Sequence, residues 1–222
     1  MPTAVFIKSA ASPKDFPDDS GREVAFVGRS NSGKSTAVNL VAGARKLARV
    51  SKTPGRTQLV NFFSLGEDRR LVDLPGYGFA RVTPEVQARW RTLLETYLRD
   101  RASLVGLVLT VDIRRGLTRL DDQLLRWLEP RRELPVAVLL TKADKLSRSA
   151  GLAVERQVGS ALGPEALVTR FSAPTRDGVE AARGWLDEWL DGKLKKPRVR
   201  DSGDAPGAPD PDGVVETLQT PR

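Results

Sequence analysis

The segment Gly28-Arg29-Ser30-Asn31-Ser32-Gly33-Lys34-Ser35-Thr36 has the form G-x-x-x-x-G-K-S and constrains the chain around it more than any other feature. Before it, Glu23-Val24-Ala25-Phe26-Val27 is a short apolar run that suits a buried strand. After it, Thr36-Ala37-Val38-Asn39-Leu40-Val41-Ala42 can wind as a helix. Strand, glycine-bounded loop and helix form the context in which this pattern means a phosphate-binding loop. Gly28 and Gly33 can take backbone angles that a side chain forbids, so successive N–H groups can turn onto phosphate oxygens. The new helix adds its positive N-terminal end. Lys34 can reach the β- and γ-phosphates, and the Ser35 hydroxyl can hold Mg²⁺. With glycine at about 7% of residues, the bare pattern arises by chance in on the order of one chain in a hundred of this length. Flanks of the right kind make chance rarer still, and the chain is expected to bind a nucleoside polyphosphate.

The rest of the chain alternates strands and helices. Ala4 to Ile7 can form a short opening strand, followed by a Pro- and Asp-rich connection. Leu59–Leu65 and Arg70–Leu74 flank Gly66-Glu67-Asp68-Arg69, which reads as a hairpin. From Pro84 to Asp100 apolar residues fall at Val86, Trp90, Leu93, Leu94, Tyr97 and Leu98, the spacing of an amphipathic helix. Further strands are expected at Ser103–Val111, Pro135–Leu140 and Ala166–Phe171. Helical stripes run through Leu120, Leu124, Leu125 and Leu128, through Leu152–Leu162, and from Val179 to Leu190. This order means a largely parallel sheet covered on both faces, to which the Phe62/Phe63 hairpin adds one antiparallel strand. Ligands of such sheets sit at the carboxyl ends of the strands. Trp90, Trp185 and Trp189 share stripes with Leu and Val and are expected in the core. Residues 1–192 thus read as one domain, and 193–222, basic at first and then rich in Pro, Asp and Gly, as a disordered tail.

Composition removes several kinds of chemistry. With no cysteine there is no disulfide framework or thiolate metal site, and a reducing compartment, the cytoplasm, is expected. With no histidine there is no His-based triad, zinc site or general base. The longest apolar run, Leu104 to Val111, is too short for a bilayer, and the first eight residues do not resemble a signal peptide. The 36 Lys and Arg against 28 Asp and Glu give a net charge of +8, which favours polyanions and nucleic acid above all. Residues 191–222 hold six basic and six acidic side chains, so the excess lies in the expected domain.

Three more stretches sharpen the phosphate reading. Asp73-Leu74-Pro75-Gly76 ends a strand, where the acid can hold the water shell of Mg²⁺ and the Gly76 N–H can meet a γ-phosphate. Thr141-Lys142-Ala143-Asp144 ends a later strand. A carboxylate there can accept hydrogen bonds from the guanine N1–H and 2-amino group, and an unpaired acceptor then penalises ATP. The Lys142 stem can pack over the base, and Ser172-Ala173, ending the last strand, can back it with a backbone N–H.

In this order the four stretches resemble the motifs of the translation-factor-related GTPases. The wording of Ser51-Lys52-Thr53-Pro54-Gly55-Arg56-Thr57-Gln58, Asn61-Phe62-Phe63, Asp73-Leu74-Pro75-Gly76-Tyr77-Gly78-Phe79-Ala80, Asp112-Ile113-Arg114 and Thr141-Lys142-Ala143-Asp144-Lys145-Leu146 resembles the EngB (YihA/YsxC) family. The resemblance implies a Ras-like α/β fold: a mostly parallel six-stranded sheet with one antiparallel strand and helices on both faces. It implies a GTPase needed for assembly of the large ribosomal subunit, with a link to cell division. It also implies that Gly28 to Thr36 cradle the phosphates of GTP or GDP, and that Gly55, Arg56 and Thr57 form the first switch. Thr57 then joins Ser35 on Mg²⁺ with Asp73 behind, while Thr141, Lys142 and Asp144 read guanine with Ser172 and Ala173 at their back. Lys34, Thr57, Gly76 and Asn31 are the residues expected to act in hydrolysis. Many GTPases carry Asn where Thr141 stands, so guanine contact is expected to rest chiefly on Asp144.

Where many GTPases place a Gln after the glycine of D-x-x-G, this chain has Tyr77. Slow intrinsic hydrolysis is therefore expected. In related GTPases an Asn at the position of Asn31 helps to hold K⁺ beside the phosphates; an Asn there also suits a loop brace, and both readings stay open. Arg56, Arg81, Arg114 and Arg115 flank the switches, and as a group on a basic protein they are expected to meet ribosomal RNA rather than DNA. A monomer is expected. The rival functions are a nucleotide-gated RNA- or ribosome-binding module with negligible hydrolysis and, more remotely, a P-loop ATPase, which Asp144 disfavours.

Overall fold

A computed structural model describes residues 3–44, 47–48, 59–78, 84–163 and 166–193. The elements run β1 (Val5–Ala10), β2 (Arg22–Gly28), α1 (Lys34–Val41), β3 (Val60–Ser64), β4 (Arg69–Asp73) and α2 (Pro84–Asp100). They continue β5 (Leu104–Asp112), α3 (Arg119–Arg126), β6 (Val136–Thr141), α4 (Arg148–Leu162), β7 (Leu167–Phe171) and α5 (Val179–Leu190). The strands form one sheet in the order β1-β3-β4-β2-β5-β6-β7. Strand β3 runs antiparallel to its neighbours β1 and β4, and every other pairing is parallel.

The α/β reading and the single antiparallel strand agree with this sheet, which has seven strands where six were expected. The seventh is β1, which pairs with β3 from Val5↔Ser64 to Ala10↔Val60 across a bulge. Its Val5, Phe6 and Ile7 are 61%, 54% and 41% exposed. The strand was expected at Ala4 to Ile7, and its pairing carries it on to Ala10. Phe6 still meets Phe63 edge-on, with ring centroids 5.9 Å apart.

The pleat divides the apolar residues between two cores. Ala25, Val27, Phe62, Leu107, Leu109 and Val138 face Leu94, Tyr97 and Leu98 of α2 and Val158 of α4. Their neighbours Val24, Phe26, Phe63, Leu71, Val108 and Leu139 face α1 and α5. Adjacent Phe62 and Phe63 thus serve opposite layers, as the period of two requires. Trp189 is buried, and Trp90 and Trp185 pack against the two cores. These tryptophans act as core residues, as their stripes indicated.

A fully buried charge borders the first core. Glu23, at the start of β2, accepts from the Tyr97 hydroxyl at 2.8 Å and from Arg101 Nε and Nη2 at 3.0 and 2.7 Å. Arg70 Nε lies 2.8 Å away as a further partner. Burial, and then the Glu23 charge beside it, push the Tyr97 phenol well above its ordinary pKa, so it stays a donor. Arg101 also donates to the carbonyls of Pro17 and Asp18, which pins the connection ahead of β2.

Candidate functional site

The carboxyl ends of β2, β4, β5, β6 and β7 lie side by side, and the register fixes their order. Phe26 pairs with Asp73, Gly28 with Thr110, Asp112 with Thr141, and Thr141 with Phe171. Motifs far apart in sequence therefore meet along one rim.

The loop after β2 holds its shape through its own backbone. Gly33 takes φ +90°, a left-handed angle that favours glycine, and Asn31 takes φ +63°. At Gly28 any side chain is excluded, since a Cβ would lie 2.1 Å from Thr110 Oγ1 and 2.6 Å from Ser32 Oγ. Those two hydroxyls hydrogen-bond to each other at 2.7 Å in a buried contact. Arg29, Ser30, Asn31, Ser32 and Gly33 form the loop, and Lys34, Ser35 and Thr36 the first turn of α1. A helix beginning at such a loop directs free N–H groups and the positive end of its dipole at whatever occupies it.

Two side chains of opposite charge meet at this loop. The Lys34 ammonium is ion-paired with the Asp73 carboxylate, each side chain at most 10% exposed. The cation suited to β- and γ-phosphates and the acid suited to a metal's water shell thus stand at one point. Gly76 packs on the loop, where a Cβ would sit 3.5 Å from the Ser30 backbone. Its neighbour Tyr77 donates its N–H to the Gly28 carbonyl at 3.2 Å and accepts the Ser30 N–H at 2.8 Å. The Tyr77 side chain turns inward: it is 3% exposed, donates its hydroxyl to Asp121 of α3, and lies against Trp90 of α2.

The far half of the rim is built from β5, β6 and β7. The Thr141 hydroxyl donates to the Ser32 carbonyl and the Val111 carbonyl, tying β6 to the loop. Lys142, at φ +59°, donates through Nζ to the Asn31 carbonyl at 2.7 Å and to Asp112 Oδ2 at 2.9 Å. Asp144 lies in the turn after β6 and accepts from the buried Ser172 hydroxyl at 3.1 Å, with Lys145 Nζ at 3.2 Å from its other oxygen. The Lys145 charge and the Ser172 hydrogen bond hold its pKa below the ordinary value, so it presents an ionised acceptor at neutral pH. Ala173 follows Ser172 in the turn after β7. Gly55, Arg56, Thr57 and Arg81 lie outside the described residues.

Asp112 opens the Asp112-Ile113-Arg114 stretch that carried part of the resemblance, and the structure gives it a role that the stretch alone did not. It is buried, and Arg114 bonds to it through Nε at 2.9 Å and Nη2 at 2.6 Å while Lys142 holds its other side. The Arg114 guanidinium and the Lys142 ammonium keep its pKa far below the usual carboxylate range. Asp112 anchors Lys142 against the loop, so Asp112→Ala should lower affinity for the bound nucleotide about tenfold, roughly 1.4 kcal/mol. Titration with fluorescent GDP checks this; an unchanged Kd would show that Lys142 holds its place without Asp112.

Comparison with known proteins agrees with this geometry. A family described as 50S ribosome-binding GTPase matches residues 23–142. The chain is 44% identical over 190 residues to a probable GTP-binding protein EngB of Coxiella burnetii (strain RSA 331 / Henzerling II), covering 84% of this chain and 92% of that one. It is 47% identical over 190 residues to the same-named protein of Enterobacter sp. (strain 638), covering 84% and 91%. A crystal structure of a probable GTP-binding protein engB superposes with a TM-score of 0.62 at 25% identity, over 77% of this chain and 99% of that one. Era, solved with MgGDPNP and a 16S ribosomal RNA fragment, shares the fold with a TM-score of 0.61 at 18% identity, over 83% and 61%. The fold is that of the α/β P-loop GTPases.

Proposed function

Because the chain belongs to the EngB family of GTP-binding proteins, we propose that it is a cytoplasmic nucleotide switch, hydrolysing GTP to GDP and phosphate during assembly of the large ribosomal subunit. The observation that carries the guanine reading is Asp144, an ionised acceptor backed by Ser172 on the same rim as the phosphate loop. Residues Gly28 to Thr36 cradle the phosphates, Lys34 meets the terminal ones, and Thr141, Lys142, Asp144, Ser172 and Ala173 receive the base. Ser35 and Asp73, with Thr57 and its neighbours Gly55 and Arg56, serve Mg²⁺ and the γ-phosphate. The meeting of Lys34 with Asp73 at the loop fits such a group, which when bound neutralises charge on the phosphate oxygens. No helix among the described residues is long and apolar enough to cross a membrane.

The GTP form orders the segments around Thr57 and Gly76 and docks on a large-subunit precursor through ribosomal RNA; hydrolysis releases it. Co-sedimentation of the protein with large subunits over a salt series, with a non-hydrolysable GTP analogue and with GDP, tests this. The GTP form should bind more tightly, and its log affinity should fall linearly with log salt. Equal, salt-insensitive binding in both states would sink the switch.

Hydrolysis itself is expected to be slow without help. The Tyr77 hydroxyl is engaged by Asp121, so the residue after Gly76 cannot orient an attacking water. Among the described residues the Asn31 side-chain amide makes no hydrogen bond, while its carbonyl is fixed by Lys142. That amide is therefore available to hold K⁺ beside the phosphates, supplying positive charge to the transition state. Potassium should speed hydrolysis over sodium at equal ionic strength by about 10²-fold, and Asn31→Ala should abolish the difference. Identical rates in both salts would leave Asn31 as a brace for the loop.

A further inference from the structure

The turn that senses the γ-phosphate is bonded to a different part of the surface, the loop that leads from β5 into α3. Tyr77 follows Gly76 directly, and its hydroxyl reaches Asp121, which is 1% exposed. The other Asp121 oxygen accepts the Thr118 N–H at 2.7 Å and the Thr118 hydroxyl at 2.6 Å, the box that starts α3. One residue further on, Gly78 touches the same helix: a Cβ there would sit 3.1 Å from Leu120 Cδ1. A single buried carboxylate therefore joins the phosphate-sensing turn to the first turn of α3. If the turn moves, either Asp121 follows or a phenol and a carboxylate lose their partner away from water. A cavity of about 450 Å³, lined by Arg29, Gly78, Arg114, Arg115 and Thr118 among others, lies between the phosphate loop and α3 and leaves room for that motion.

The loop that would be moved is strongly basic. Between Asp112 and Asp121 the loop and the start of α3 carry Arg114, Arg115 and Arg119 and no acid. Arg114 is committed to Asp112. Arg115 and Arg119 are exposed and make no ion pair among the described residues, and Leu120 beside them is 39% exposed. Two exposed guanidiniums, one on the loop and one at the start of α3, with no ion pair among the described residues and on a chain of net charge +8, match phosphate oxygens of an RNA backbone.

We propose that the β5–α3 loop and the first turn of α3 form a docking surface for RNA phosphates, through Arg115 and Arg119, and that the Tyr77–Asp121 hydrogen bond makes it responsive to the bound nucleotide. This rests on the switch reading above and adds a location and a linkage to it. When Gly76 engages the γ-phosphate, Tyr77 shifts Asp121 and re-aims the two arginines; when it does not, the contact holds α3 in another position.

The test uses the full chain and a labelled transcript of large-subunit ribosomal RNA, titrated over a salt series with a non-hydrolysable GTP analogue or GDP. Arg115→Ala/Arg119→Ala should flatten the log–log salt slope by about 1.4 to 1.8, two phosphate contacts, with GDP affinity unchanged. Arg148→Ala/Arg156→Ala, a charge-matched change on α4, should keep the wild-type slope. Tyr77→Phe should bind the RNA with the same affinity in both nucleotide states. Hydrogen exchange of wild-type residues 117–121 gives a reading that needs no variant, and their protection should differ between the two states. A wild-type slope in Arg115→Ala/Arg119→Ala, nucleotide dependence surviving in Tyr77→Phe, or identical protection of 117–121 would each overturn the proposal while the switch stands. Equal RNA binding and equal particle binding by wild type in both states would bring down the switch reading with it.

Discussion

Asp144→Asn should lose affinity for GDP by about 10²- to 10⁴-fold, because two hydrogen bonds to a charged acceptor, about 1.5–3 kcal/mol each, disappear together. The same change should admit xanthosine diphosphate. Asparagine offers an N–H where the carboxylate offered only lone pairs, and that donor suits the 2-carbonyl of xanthine as the carboxylate suited the 2-amino group of guanine. The variant should fold normally, since Asp144 lies in a surface turn and its partners Ser172 and Lys145 keep other outlets. Competition titrations with GDP, xanthosine diphosphate and ADP make the comparison in one experiment. Unchanged GDP affinity would remove Asp144 from the base site and reopen the choice of nucleotide.

Glu23→Ala should produce the largest loss of stability in the chain, about 3–5 kcal/mol. The substitution strands Arg101, 6% exposed, and the fully buried Tyr97 hydroxyl, and leaves Arg70 without its ion pair. At about 2–4 °C per kcal/mol for a chain of this size, Tm should fall by roughly 10 °C. Glu23 lies at the amino end of β2 and the phosphate loop at its carboxyl end, so GDP affinity of the folded variant should stay near wild type. Differential scanning calorimetry with and without GDP separates the two effects. A Tm within a degree or two of wild type would mean that Arg101 finds other partners, such as Asp19, at little cost.

Glu23 also marks a limit of what sequence conveys. Glu23-Val24-Ala25-Phe26-Val27 reads as an apolar strand, and so it is, yet its first residue is a buried charge whose partners lie 47 to 78 positions away. Local pattern carries no trace of such distant pairing. Helix α2 was legible because its stripe is regular, and the structure returns Pro84–Asp100 as expected. Helix α4 begins at Arg148, ahead of the expected Leu152, because a Ser147 cap starts it and its first turn has no large apolar residue to announce it. The ends of β2, β4, β6 and β7 were legible because each closes on a motif whose chemistry is local. The role of Asp112 and the inward turn of Tyr77 were not, since each depends on a contact between elements about 30 to 44 residues apart.

The strand order has a consequence for how the chain emerges from synthesis. Strand β2 is the fourth strand from either edge, at the middle of the sheet, and its partners are β4 and β5. Strand β1, made first, waits for residues 60–64 before it can pair at all. Strand β2 can pair with β4 once Asp73 has emerged, but its other edge stays open until β5, which ends at Asp112, has left the ribosome, with half of the polypeptide still to be made. Such non-local pairing is slow, and its exposed apolar strands are vulnerable to mispairing. Nascent chains stalled before residue 112 should therefore be digested readily by protease, and resistance should appear only once β5 and then β6 have been extruded.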